Sequence, residues 1–192
     1  MSFQTINPAT GETLRTFPMA SGTEVAIALK TADDRYNDDW KLRPVAARTQ
    51  IVKRAAALLR QNAGEYAGYL TLEMGKFVAE ATDEVELSAA ILDYYADRAE
   101  EFLKPQPLAE APGSIVVFEP IGVLVAIEPW NFPYYQLARV AGPQLAAATS
   151  SSSNMRRRFR SVRWPSPGCL NKRVRRKASI RTCFAVSNRS AP

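Results

Sequence analysis

A chain of 192 residues, 46% of them hydrophobic, is long enough for one ordinary domain with a packed core. It contains no histidine, which excludes histidine-dependent acid–base chemistry and histidine-ligated metal, and no metal site is expected. The net charge of +6 conceals a division: residues 1–147 carry 13 basic against all 19 acidic residues, a balance of −6, whereas residues 148–192 carry 12 basic residues and no acidic ones, a balance of +12.

The start, Met1-Ser2-Phe3-Gln4, lacks the charged lead and apolar run of a secretory signal, and the apolar stretch 121–127 is far shorter than a membrane span. A cytoplasmic location without membrane association is the expectation. Residues 3–19 place Phe3 and Ile6 on one side of the turn-forming Pro8-Ala9-Thr10-Gly11-Glu12, and Leu14 and Phe17 on the other, which predicts a hairpin. From Thr23 as N-cap, with Glu24 in the first turn, a helix is predicted to about Asn37. Pro44 opens the next helix, where Ile51, Val52, Ala55, Leu58 and Leu59 recur at helical spacing and Arg48, Lys53, Arg54 and Arg60 are left for solvent.

A third helix is predicted over 63–73. After Met74-Gly75-Lys76 a long fourth carries Val78, Ala81, Val85, Leu87, Ala90, Ile91 and Tyr94 towards Phe102, with Asp83, Glu84, Glu86, Asp93 and Asp97 as its wet side. Pro105 and Pro107 end the helical region. Residues 114–119 and 122–127 are β-branched and apolar enough for strands, the second buried on both faces. A last helix is predicted over 133–147.

At Pro129-Trp130-Asn131-Phe132-Pro133, the end of that buried strand, the chain resembles the aldehyde dehydrogenase family. Asn7-Pro8-Ala9-Thr10-Gly11-Glu12, Leu72-Glu73-Met74-Gly75-Lys76 and Pro120-Ile121-Gly122-Val123 stand in the family's order and approximate spacing, so that the resemblance covers residues 3–147. It implies an α/β fold of which this chain holds the N-terminal portion: hairpin, helical region, two strands and the start of a Rossmann-like cofactor domain. A basic tail over 148–192 follows, expected to be disordered because it has many charges and serines and no periodic apolar face.

Oxidation of an aldehyde through a covalent adduct turns the carbonyl into an oxyanion, which a fixed neutral amide N–H stabilises. By resemblance Asn131 is that donor; the residues alone favour an N-cap for the following helix, and only the family pattern reverses that preference. The resemblance assigns Ile127, Glu128, Pro129 and Trp130 to the wall of the NAD or NADP cleft, at the carboxyl end of a strand. Arg139 follows Asn131 by eight residues, with Tyr135 between them on nearly the same helical face. Succinate-semialdehyde dehydrogenases of the family resemble the chain here, which implies that Arg139 grips the far carboxylate of a short aldehyde substrate. The alternative is an exposed arginine paired with a neighbouring acid.

The resemblance also implies homo-oligomers, with 114–119 a contact strand, and a catalytic cysteine and general-base glutamate that would lie beyond residue 147. Cys169 and Cys183 stand outside the family pattern, so neither is taken for the thiol. The expectation is a truncated dehydrogenase, inactive alone. After Leu145-Ala146-Ala147 the family would continue with Gly-Asn, an apolar strand and a lysine. If the serines at 150–153 use TCN codons, regrouping each third base with the next two gives triplets ending in TC, which encode only Phe, Leu, Ile or Val. Ala148-Thr149 then permits Gly-Asn, Asn154 permits Lys, and the tail is expected to be a frameshift product. The rival reading is a genuine basic extension whose Arg156-Arg157-Arg158 binds nucleic acid phosphate.

Overall fold

The computed structural model describes residues 2–155. Its first element is the expected hairpin, in which β1 (Ser2–Ile6) pairs antiparallel with β2 (Thr13–Pro18) and Phe3 lies opposite Phe17. Helix α1 (Gly22–Asp38) starts one residue before the predicted cap. Ser21, not Thr23, is the N-cap: its extended backbone lets Oγ accept from Glu24 N at 3.1 Å while Ser21 N donates to Glu24 Oε2 at 2.7 Å.

A short 3-10 turn at Trp40–Leu42 leads to α2 (Val45–Gln61), α3 (Ala63–Met74) and α4 (Val78–Phe102). The last connection is tight. Gly75 closes α3 in the left-handed region at φ +72, and a Cβ there would lie 3.1 Å from Pro8 Cγ, so glycine is required both by conformation and by the approach of the hairpin turn.

Strand β3 (Gln106–Pro107) pairs antiparallel with β4 (Ile115–Val116). The strand expected over 114–119 is thus only two residues long and exposed, and Pro107, expected to end a helix, lies in its partner. Strand β5 (Val123–Glu128), helix α5 (Pro133–Ala146) and strand β6 (Ser150–Met155) form a β–α–β unit, with β5 and β6 parallel and Val123 opposite Ser150. The start of the region expected to be disordered therefore supplies a strand, since β5 offers it a row of unpaired backbone groups. Residues 156–192, where the rest of that expectation falls, lie outside the described residues.

The core forms where α2, α3 and α5 pack on α4 and bury Val52, Ala56, Leu59, Leu70, Val85, Leu92 and Tyr134. Three expectations change here. The buried face of α4 runs through Ala81, Val85, Ala89, Leu92, Ala96 and Ala99, leaving Val78, Leu87 and Tyr94 exposed, because small residues let α2 and α5 approach closely. Arg48 is buried rather than solvated; its Nε donates to Ala146 O at 3.0 Å and its guanidinium also reaches Arg43 O, so it supplies donors to two chain ends that lack helical partners. Glu84 is buried rather than on the wet side of α4.

Strand β5 is not buried on both faces. Ala126 and Glu128 point inward, whereas Val125 and Ile127 remain 49% and 59% exposed, since no described element covers that face. Close packing recurs at Gly142 of α5, where a Cβ would meet Tyr95 Cδ2 at 2.9 Å.

Candidate active site

Between the end of β5 and the start of α5 the chain turns through Pro129-Trp130-Asn131-Phe132. Pro133 occupies the first turn of α5, where its missing N–H leaves one fewer orphan donor. The next donors are not capped by the preceding residues: Phe132 holds the N-cap position with φ −142, ψ 69 and makes no side-chain cap. They are capped from another helix. Glu84 Oε1, on α4, accepts from Tyr134 N at 2.9 Å and from Tyr135 N at 3.4 Å.

The reading of Asn131 as the helix cap is thereby overturned. Glu84 brings a full negative charge to the positive end of α5, which no neutral amide matches. Asn131 itself is exposed, and its side chain makes no hydrogen bond within the described residues. It stands before the helix rather than on it, so its separation from Arg139 is helical only from Pro133 onwards.

The other oxygen of Glu84 is also engaged, with Oε2 accepting from Lys76 Nζ. Both side chains are withdrawn from water, at 12% exposure for Lys76 and 1% for Glu84. Lys76 Nζ lies 3.6 Å from the centre of the Phe132 ring, a cation–π contact to the residue that follows Asn131. Phe132 in turn meets Tyr135 edge-on at 6.1 Å. The segment 72–76 and the loop 129–133, separate in sequence, are thus one unit. Sequence reasoning missed Glu84 by assigning it, with Asp83, Glu86, Asp93 and Asp97, to the wet side of α4. A signal was available: Glu84 stands three residues after Ala81 and four before Ser88, both on the buried stripe.

Among the expected cofactor-facing residues, Ile127, Pro129 and Trp130 are exposed, whereas Glu128 is buried. Burial pushes the Glu128 carboxyl above its ordinary value, with the positive charge of Arg139 opposing part of the shift. Arg139 is exposed and stacks on Tyr135, its guanidinium carbon 5.3 Å from the ring centre. It makes no ion pair with an acid within the described residues. Arg139 and Tyr135 border a shallow pocket between α4 and α5 that Ala90, Ile91, Tyr94 and Tyr95 complete; Asn131 does not line it.

A family profile described as the aldehyde dehydrogenase family matches residues 1–151, most of the chain and all of the site just described. The chain belongs to the aldehyde dehydrogenase family. It is 43% identical over 149 residues to a succinate-semialdehyde dehydrogenase [NADP(+)] of Deinococcus radiodurans, covering 77% of this chain and 31% of that protein. It is 41% identical over 148 residues to a probable succinate-semialdehyde dehydrogenase [NADP(+)] of Synechocystis, covering 77% of this chain and 32% of that one. Among solved structures, the succinic semialdehyde dehydrogenase of Streptococcus pyogenes in complex with NADP+ superposes with a TM-score of 0.76 at 36% identity, over 81% of this chain and 34% of the other. The chain thus spans about a third of the length of the curated relatives it matches. No helix among the described residues is long and apolar enough to cross a membrane.

Proposed function

We propose that the chain carries the oxyanion-binding part of an NADP- or NAD-dependent dehydrogenase that oxidises succinate semialdehyde to the dicarboxylic acid, and that it is catalytically silent alone. The observation that carries this reading is Asn131: an exposed amide at the carboxyl end of a strand, relieved of capping by Glu84. A neutral N–H held there stabilises an aldehyde oxygen as it gains negative charge. Relatives named for succinate semialdehyde support the substrate, and Arg139, in no ion pair among the described residues, has the forked donors that suit its carboxylate. Tyr135 supports the guanidinium from below.

Ile127, Pro129 and Trp130 fit one wall of a dinucleotide cleft, since their exposed apolar surface follows a strand's carboxyl end. Glu128, buried beside them, closes the same strand end. The cofactor, when bound, supplies the hydride acceptor. Residues 1–151, which match the family, hold no cysteine to attack the carbonyl, and Cys169 and Cys183 lie beyond that match, which is the ground for proposing inactivity. Exposed Ile115, Val116, Val117 and Phe118 support the reading of 114–119 as a subunit contact in a homo-oligomer.

The domain division proposed is a family segment over 1–147 and a frameshifted tail over 148–192. Its support is Ala148, which has φ 66, a backbone conformation natural to glycine and strained for alanine. The neighbouring reading frame permits Gly at that position. DNA sequencing across codons 140–200 tests the tail: TCN codons at 150–153 are expected, and other serine codons overturn the frameshift. Purified chain incubated with succinate semialdehyde and NADP or NAD is expected to show no rise in absorbance of the reduced nicotinamide; measurable turnover overturns the proposed inactivity.

A further inference from the structure

We infer that Glu84 and Lys76 are positioning residues for the Asn131 loop, holding the start of α5 so that the asparagine amide stays free for a ligand. The inference rests on the reading of Asn131 as the oxyanion donor. Four contacts carry it. Glu84 Oε1 takes the N–H groups of Tyr134 and Tyr135, the first free donors of α5. Its Oε2 accepts from Lys76. Lys76 is itself packed on the Phe132 ring, beside Asn131. Gly75, in the left-handed cap of α3 and pressed against Pro8, fixes where Lys76 leaves the chain.

The arrangement settles a competition. An asparagine three residues before an uncapped N–H turns its side-chain oxygen onto that group, which would tie Asn131 to Tyr134 N. A carboxylate at a helix N-terminus is the stronger acceptor, because it adds charge–dipole attraction to the hydrogen bond. Lys76 offsets the burial of that carboxylate with an opposite charge, and the pair is shielded from water. Capping from α4 therefore fixes the loop and leaves the Asn131 side chain without a competing local bond. The same pair ties the loop to the segment 72–76.

Nitrogen-15 NMR of the full chain tests this in three forms: wild type, Glu84→Ala and Glu84→Gln. In Glu84→Ala the Tyr134 amide is expected to exchange with solvent about tenfold faster, the equivalent of a lost capping bond of roughly 1.4 kcal/mol. The Asn131 side-chain amide pair is expected to shift as its oxygen turns onto the helix. Glu84→Gln keeps a neutral acceptor and is expected to restore the Asn131 pair to its wild-type position while the Tyr134 and Tyr135 amides move upfield. A merely structural role would not produce this rescue. Unchanged Tyr134 and Asn131 signals in a folded Glu84→Ala chain overturn the inference, as does an Asn131 pair displaced equally in both variants. If Glu84→Ala does not fold, Glu84→Gln decides alone: unmoved Tyr134 and Tyr135 amides overturn the clamp. No spectrum needs substrate or cofactor, so failure of the proposed activity and failure of the clamp are read separately.

Discussion

The helical layer and the strand region of this chain solve the burial problem differently. Helices α2, α3, α4 and α5 enclose a core of small and branched side chains, with Leu59, Leu70, Val85 and Leu92 essentially without solvent contact. Strand β5 has one inward face and one open face, where Val125 and Ile127 stay half in water, and the β3–β4 pair is exposed throughout. Exposed apolar surface of this kind favours association. The difference teaches that the helices bury their apolar stripes against one another, whereas the strands leave apolar side chains in water among the described residues.

The largest effect that would sharpen this contrast belongs in the helical layer. Leu92→Ala, at the centre of α4, removes a buried side chain from a site with little room to collapse, and about 3 kcal/mol of stability should be lost in urea unfolding. A loss comparable to that of a surface change would show that the helices do not form the stable core. A gain is expected at the junction of α5 and β6: Ala148→Gly relieves a left-handed alanine and should stabilise the chain by about 1 kcal/mol in the same assay.

Glu128 tests the inner face of β5. Its folded carboxyl is raised above 4.5, so the folded state holds the proton more tightly than the unfolded chain. That contribution favours folding at low pH and fades as pH rises from about 4.5 through the raised value. Glu128→Gln should flatten the fall in stability over that window, and an unaltered pH profile would show that the carboxyl is not effectively buried. The smallest effect on stability belongs to the open face. Ile127→Thr should change folding free energy by no more than about 0.5 kcal/mol while lowering self-association measured by light scattering. Unchanged scattering would mean that this face is not the adhesive one.

Much of the fold was legible in the residues, for reasons that differ by element. The four helices after the hairpin were readable because proline, glycine and polar caps punctuate a strong 3.6-residue apolar period, and their bounds agree with expectation to within a residue or two. The fourth helix was correctly bounded but partly misread as to its face, because alanines at 81, 89, 96 and 99 pack as well as large side chains where helices approach closely. Residues 114–119 were overread as a strand since β-branched composition records a preference for extended backbone, and pairing depends on what lies alongside. The loop of the candidate site was legible as a motif, but not its support. Glu84 looked like an ordinary solvated charge until the packing of α4 on α5 withdrew it from water, and no local pattern paired it with Lys76.

The order of residues alone determined the hairpin, the helix limits, the break in charge character near residue 147 and the pentapeptide at 129–133, because each depends on local conformational preference or on composition. Tertiary structure decided which groups share a bond. It turned an acid on one helix into the cap of another, freed an asparagine that local preference would have tied down, and left one face of β5 in water. Hydrogen-bond partners distant in sequence are chosen by how the helices pack, and a one-dimensional pattern contains no distances between them.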